Sequence, residues 1–288
     1  MRLRAPLRST RFVVGGAVVL ATAVAAALAG GDPFDPSEAV LGAPSSTHPF
    51  GTDELGRDVL TRVLHGAATA LAVSVPPALL AAALGVAVGL VGGYVGGLLD
   101  EGLLKLTELV LVVPRFLLAL VVAALFGGEL WVVGLVLAAT FWPHTARLVR
   151  AEAISLRERA FVEAAHAVGA GNGRILARHL FPLVLPVVVV NASYQAGQGV
   201  LVESGLAFLG LGDPDAVSWG AMLAGAQSYL GLAWWTSVFP GVALALLVLA
   251  LNLAGDGLAD TFGVRPLSRP PTTRPRAAST PRGTSAAT

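Results

Sequence analysis

Six long apolar stretches constrain the fold of this chain more than any other feature of its sequence. They cover residues 12–30, 71–91, 103–126, 130–146, 183–201 and 235–253. A helix of about 20 apolar residues is long enough to cross the hydrocarbon core of a bilayer. Only 13% of the residues are charged, which is about half the usual share in a soluble domain. The sequence therefore predicts an all-α integral membrane protein with about six transmembrane helices.

The apolar stretches divide the chain into regions. These are a cytoplasmic N-terminal stub (1–11), the first transmembrane helix (12–30), an external loop (31–67), a transmembrane core (68–262) and a cytoplasmic tail (263–288). In the external loop, Thr52 is predicted to cap a surface helix that has Asp53 and Glu54 in its first turn. The tail is rich in Pro, Arg, Ser and Thr, so we expect it to be disordered. A second interpretation of residues 12–30, as a signal peptide cleaved near Ala29, stays open.

Arginine is distributed unevenly among the segments that connect the apolar stretches. Fourteen arginines lie in the stub, in residues 150–181 and in the tail, which face one side of the membrane if the number of helices is even. The opposite side receives only Arg57 and Arg62. Loops rich in Lys and Arg stay in the cytoplasm. We therefore expect a multi-pass protein of the cell membrane with both termini in the cytoplasm.

The segment 150–181 is helical in pattern but too polar to cross a membrane. Phe161, Ala164, Ala165 and Val168 recur at helical spacing, which predicts one small apolar face on a short helix. Gly169 is placed to end that helix in the left-handed conformation. Such an exposed helix suits docking into a groove of another protein. A linker helix that rests on the bilayer surface explains the same pattern.

Glu163-Ala164-Ala165, followed after three residues by Gly169 and later by Pro182, resembles the cytoplasmic loop motif of importer permeases of the ATP-binding-cassette (ABC) class. The second half of the motif departs from the family pattern, which has Ile and Leu where this chain has His179 and Phe181. Further similar segments lie at 48–58, 208–212, 218–220 and 252–258. They resemble the dipeptide, oligopeptide and nickel permeases, and within them the C-type of the two paired subunits.

This resemblance implies a type I importer permease and a set of partners. The partners are a second homologous permease subunit, two cytoplasmic ATPase subunits and an external solute-binding protein. The resemblance also implies peptides, or a related small solute such as nickel, as the substrate. The residues implied to couple to an ATPase are Phe161, Glu163, Ala164, Ala165, Val168 and Gly169. The chain has no Gly-x-x-x-x-Gly-Lys-Ser/Thr segment, so we expect no ATP hydrolysis on this subunit. We expect no cofactor, and the net charge of +1 gives no reason to expect a nucleic-acid partner.

Polar residues within the apolar stretches are the candidates for contact with the solute. Asn191, Gln195 and Gln198 share one face of the fifth stretch, with Tyr194 beside them. They are interpreted as part of the translocation path, although hydrogen bonds between helices, each worth about 0.6 kcal/mol on average, explain them as well. Arg115 is expected to face the bundle interior or to extend towards the membrane surface. Glu108, seven residues earlier on the same face, is its candidate partner in an ion pair, and contact with the solute is the alternative.

Two further features leave alternatives open. Gly85, Gly89 and Gly93 form a stripe that allows close helix packing, either within the chain or against a second permease. An ATPase-independent secondary transporter or channel is the alternative function. Proton coupling would favour carboxylates buried in the apolar stretches, and only Glu108, Glu203 and Asp256 come near, all close to predicted helix ends. His48, Asp53, Asp58 and His65 match no standard metal-site spacing, so we expect no metal site and no catalytic site.

Overall fold

A computed structural model describes residues 10–262 as a bundle of α-helices. The helices are α1 (Thr10–Ala27), α2 (Val59–Val95), α3 (Gly97–Val112), α4 (Arg115–Phe126), α5 (Leu130–Arg157), α6 (Ala160–Ala167), α7 (Asn172–Ile175), α8 (Phe181–Phe208), α9 (Trp219–Ala226) and α10 (Trp235–Phe262). A π-helical turn, Leu176–Leu180, joins α7 to α8. The predictions for the tail and for residues 1–9 of the stub lie outside the described residues.

The predicted number of about six transmembrane helices is confirmed, but one span is broken. Five helical segments are long and apolar enough to cross a membrane, and α3 with α4 makes a sixth that is bent by 71°. The break lies at Val113-Pro114, where Val113 is extended. Proline has no N–H for the helix and disfavours helical conformation in the residue before it. The third apolar stretch is therefore two half-helices rather than one straight span.

The prediction of a separate surface helix capped by Thr52 is wrong. The helix begins at Val59 and runs without interruption into the second span, and Asp58 caps it by accepting a 2.8 Å hydrogen bond from the N–H of Thr61. Thr52 is buried in the preceding loop, where its hydroxyl oxygen accepts a 2.7 Å hydrogen bond from the N–H of Gly42. The Thr52 hydroxyl is thus engaged in a hydrogen bond within the loop and does not cap a helix.

The loop before α2 and the first turns of α2 are each held to the bundle by a tryptophan. The indole of Trp235 donates to the carbonyl of Thr52 at 3.1 Å, and the indole of Trp219 donates to the carbonyl of Val63 at 2.9 Å. Asp53 accepts a 2.7 Å hydrogen bond from Arg57 Nε. We call this side of the bundle the loop-52 end and the opposite side, which carries α6, the α6 end.

The glycine stripe of α2 packs within the chain, against α5. A Cβ built on Gly85 would lie 2.4 Å from Thr145 Cβ, and one on Gly89 would lie 2.5 Å from the carbonyl oxygen of Ala146. Gly93 approaches α5 in the same way. Helices in a membrane associate closely where small residues meet. The stripe therefore serves the pairing of α2 with α5 rather than contact with a second permease.

Both ends of the described chain lie at the α6 end. Gly15 of α1 packs against Ala254 of α10, and Gly255 of α10 packs against Ser193 in α8, which starts at the α6 end. Arg11 and Asp260 form an exposed ion pair at 3.7 Å. Residues 10 and 262 are thus on the same side of the bundle as the segment 150–181.

An ion pair between α3 and α5 gives the first testable prediction. Arg150 donates from Nε and Nη2 to the two carboxylate oxygens of Asp100, at 2.6 and 2.7 Å. Paired hydrogen bonds between charged groups are among the strong ones. We expect Asp100→Asn to lower the free energy of unfolding by about 1–3 kcal/mol, measured as a lower Tm in detergent. The neighbouring Glu101→Gln is the control, since Glu101 is exposed; equal Tm values in the two variants would contradict a stabilising pair.

Candidate translocation cavity and coupling helix

The short helix α6 ends as the sequence predicts, at a left-handed glycine. Gly169 has φ +79°. Its N–H donates to the carbonyl of His166 at 2.9 Å, and the N–H of Ala170 donates to the carbonyl of Ala165 at 3.0 Å. This pair of bonds is the Schellman arrangement that closes a helix end. Gly169 therefore sets where α6 stops and how the chain turns towards α7.

The predicted apolar face of α6 is not one surface, so that expectation is corrected. Ala165 is buried, whereas Phe161, Ala164 and Val168 are exposed. Val162, which the prediction omitted, is the other buried residue of the helix. The helix turns Val162 and Ala165 towards the bundle because residues three apart lie on one face. Phe161, Glu163, Ala164 and Val168 thus remain on its outer surface.

The inner face of α6 belongs to a buried cluster that includes side chains of three spans. Val162 and Ala165 share this cluster with residues of α2, α5, α7, α8 and the π-helical turn; these are Ala82, Leu90, Val149, Ala153, Leu156, Ile175, Leu180, Val184 and Val188. The hydroxyl of Tyr94 in α2 contacts His166 Nε2 and donates to Asn172 Oδ1, both at 3.1 Å. Sequence analysis missed Tyr94, because nothing local marks a contact made 72 residues away.

A cavity of about 480 Å³ lies between α4, α5 and α8. Its lining residues are Arg115, His144, Arg147, Leu148, Ala151, Asn191, Tyr194, Gln195 and Gln198. The structure thus brings together all of the residues predicted from α8. It adds His144 and Arg147, which sequence analysis did not select. They lie where the fourth apolar stretch ends and the basic segment begins.

The amide side chains of α8 line the cavity and also bond to α5. Asn191 Nδ2 donates to the hydroxyl of Thr145 at 2.8 Å, and Gln195 Nε2 donates to the carbonyl of Phe141 at 2.9 Å. Gln195 Oε1 is buried without a hydrogen-bond partner among residues 10–262. The two interpretations of the polar stripe are therefore compatible. The amide nitrogens join helices, and an acceptor of Gln195 remains free for other contacts.

The expected ion pair between Glu108 and Arg115 does not form in the described chain. The guanidinium of Arg115 lies over the ring of Phe141 instead, 4.5 Å from its centre. The reason is the break at Pro114, because it places Glu108 and Arg115 on different half-helices that are bent by 71°. A cation over an aromatic face is an attractive contact that needs no carboxylate. Arg115 thus faces the cavity and the interior of the bundle, as expected for an intramembrane charge.

A second cavity of about 280 Å³ adjoins the first one. The two share Leu148, Asn191 and Tyr194, and the second cavity adds Asn252 and Asp256 from α10. Basic and acidic side chains are thus divided between the two cavities. The shared wall belongs to α5 and α8, two of the three spans in the buried cluster that contains α6.

Comparison with known proteins identifies the family of the chain. Residues 85–265 match the family model described as the inner membrane component of binding-protein-dependent transport systems. A provisionally named peptide permease protein of Brucella suis is 40% identical over 240 residues, covering 81% of this chain and 80% of that protein. A provisionally named peptide ABC transporter permease protein of Sinorhizobium fredii is 39% identical over 246 residues, covering 84% of both chains. The chain belongs to the inner membrane components of binding-protein-dependent transport systems.

Proposed function

We propose that this chain is one of two homologous permease subunits that together line a path for peptides across the cell membrane. Two cytoplasmic ATPase subunits drive the cycle, and an external binding protein delivers the peptide. The family description refers to a binding protein, and the names of the relatives refer to peptides, which supports the assignment. In this arrangement ATP hydrolysis belongs to the partner subunits. The arginine distribution supports cytoplasmic termini, since residues 10 and 262 lie at the α6 end.

The observation that carries the proposal is that α6 has one face exposed and the other face packed against the bundle. Its outer face presents Phe161, Glu163 and Val168 to a partner, and Val168 is 85% exposed. Through Val162 and Ala165, its inner face shares a buried cluster with α2, α5 and α8. Packed interiors transmit displacement because they contain few voids. A partner ATPase that moves α6 would therefore displace α5 and α8, two of the three helices that line the translocation cavity.

The cavity suits a small polar solute in size and chemistry. Its volume of about 480 Å³ falls in the range of about 300–1,000 Å³ found for small-molecule sites. Gln198 offers an amide donor and an acceptor, and Gln195 offers an acceptor because its amide nitrogen already donates to Phe141 and Thr145; these groups match the N–H and C=O groups of a peptide backbone. We propose Asn191, Tyr194, Gln195 and Gln198 as residues of the translocation path.

The secondary-transporter alternative requires a titratable carboxylate on the path. Glu203 is 4% exposed in α8 and is the buried carboxylate of the described spans. It accepts a hydrogen bond from the hydroxyl of Ser204 at 3.2 Å, and it does not line the cavity. All residues lining the cavity are described and none is acidic. Asp256 of α10 lines only the adjoining cavity and is exposed. The lack of a carboxylate in the 480 Å³ cavity thus favours ATP-driven transport.

Co-purification tests the proposed assembly directly. The full chain carries an affinity tag and is extracted from native membranes in mild detergent, and the accompanying proteins are identified by mass spectrometry. We expect a second permease of the same family together with ATPase subunits. A chain that purifies alone and still transports after reconstitution would overturn the proposal in favour of a secondary transporter.

Charge reversal on the outer face of α6 tests the coupling role. We expect Glu163→Lys to insert normally but to lower ATP-driven uptake of a tripeptide about tenfold, because the substitution reverses the charge of an exposed side chain at the proposed interface, where charges on the two partners are complementary. Uptake is measured in proteoliposomes that contain the purified complex. Glu101→Lys in α3, also exposed, is the matched control. Wild-type uptake in the Glu163 variant would contradict docking at α6.

A further inference from the structure

The charge around the translocation cavity has one sign. Arg115, Arg147 and His144 line it, and none of its lining residues is acidic. Arg115 and Arg147 form no ion pair with a carboxylate among residues 10–262. Arginine remains charged under all physiological conditions. An anionic group that enters the cavity would therefore find two cations without competing partners.

Arg115 is the more deeply placed of the two arginines. Its Nε is buried and has no hydrogen-bond partner within the described part of the chain. A charged residue inside a membrane is costly, and such residues mark pathways for substrates or ions. The planar guanidinium can donate two parallel hydrogen bonds to one carboxylate. The contact with Phe141 holds the guanidinium in place but uses none of these donors.

The break between α3 and α4 adds positive charge at the same place. α4 begins at Arg115, and the start of a helix carries a partial positive charge. In membrane transporters, half-helices of broken spans point this end at anionic groups of the substrate. The 12 residues of α4 rise about 18 Å, so Arg115 lies about that far along the helix axis from Phe126. The positive end of α4 is therefore well removed from the opposite end of this half-helix.

We infer that this cavity selects substrates with a free carboxylate, and that Arg115 and Arg147 are the residues that select it. The inference rests on the proposed function and deepens it: the substrate would be a peptide with a free C-terminus. The carboxylate would lie at the two arginines, with backbone groups along Gln195 and Gln198. A divalent cation such as nickel would be repelled by the same wall.

A single reporter cysteine can measure the sign of the charge in the cavity. The chain has no cysteine, so Gln198→Cys introduces one thiol there. The purified full chain is treated with an anionic sulfonate and with a cationic trimethylammonium thiosulfonate reagent of similar size. The rate of each reagent with the cysteine is divided by its rate with a small free thiol. We expect this relative rate to be about tenfold higher for the anionic reagent than for the cationic one. Ser46→Cys in the exposed loop is the control position and should show no such preference.

Removing one arginine should weaken this preference. We expect Arg115→Gln to lower the ratio of anionic to cationic rates about fivefold, and Arg11→Gln on the surface of α1 to leave it unchanged. Arg147→Gln gives the same test if the Arg115 variant does not fold, since Arg147 is exposed. Equal rates for the two reagents, or no reaction with either, would overturn the inference.

Protection of the Gln198→Cys thiol by a bound peptide tests whether the C-terminal carboxylate is the group that the cavity binds. Ala-Ala-Ala with a free C-terminus should slow the reaction of the Gln198→Cys thiol with a neutral maleimide at about tenfold lower concentration than the C-terminal amide. Equal protection by the two peptides, or equal protection by inorganic phosphate and by the free acid, would overturn selection of a peptide carboxylate. Because these assays need neither ATPases nor transport, their failure is separate from a failure of the proposed assembly.

Discussion

Gly89→Leu is expected to prevent the bundle from forming, because α2 has no room for a side chain at this position. A Cβ on Gly89 would lie 2.5 Å from the carbonyl oxygen of Ala146 and 2.8 Å from Val149 Cβ. The closer atom is part of the backbone of α5 and cannot rotate away, so the two helices would have to separate. We expect the free energy of unfolding to fall by about 3 kcal/mol, the upper end of the usual cost of overpacking. Aggregation on size-exclusion chromatography and a lower Tm in detergent would show this.

Gly102→Leu is the matched control for this substitution. Gly102 lies in α3, and no atom lies within 4 Å of a Cβ built on it. Leucine also favours helix more than glycine does, so the variant should elute as a single species with an unchanged or higher Tm. If Gly89→Leu behaved in the same way, the close packing of α2 against α5 would be contradicted.

ATP-driven peptide uptake is expected to fall about tenfold or more in Gly169→Val, although the chain still inserts. The left-handed backbone at φ +79° is strongly disfavoured for a β-branched residue. The valine would shift the turn and break the two hydrogen bonds that close α6. The outer face of α6 would then meet the ATPase at the wrong angle. Uptake of a tripeptide by proteoliposomes containing the complex measures the effect.

Gly169→Asn distinguishes an effect of the left-handed backbone conformation from an effect of the added side chain. Asparagine tolerates the left-handed conformation, so we expect uptake to stay within about twofold of the wild type. Loss of uptake in both variants would assign the effect to crowding of the partner surface, because no described atom lies within 4 Å of a Cβ at Gly169. Full uptake in Gly169→Val would contradict a coupling role for this turn.

Local patterns predicted much of the architecture. Long apolar stretches are read directly as membrane spans, and the glycine that ends α6 is recognised from its place after an apolar repeat. The stripe of Asn191, Gln195 and Gln198 follows from helical periodicity alone. These features depend on residues that are close together in the chain, so they could be found without knowing the fold.

The surface helix at Thr52 shows where such patterns mislead. Thr52, Asp53 and Glu54 have the composition of a helix start, but the hydroxyl of Thr52 bonds to Gly42 and Asp53 bonds to Arg57. The helix starts instead at the cap that remains available, Asp58. Competition between a local cap and contacts with the rest of a loop cannot be resolved from composition.

The sequence by itself determined the membrane class, the helical bundle, the position of the α6 turn and the polar face of α8. Only the tertiary structure decided which groups meet: Arg115 with Phe141 rather than Glu108, Arg147 beside the amides of α8, and Tyr94 beside α6. The physical reason is that helix formation and membrane insertion depend on neighbouring residues. The sign and shape of the cavity depend on how α8 packs against α4 and α5, from which it is separated in the chain by α6 and α7.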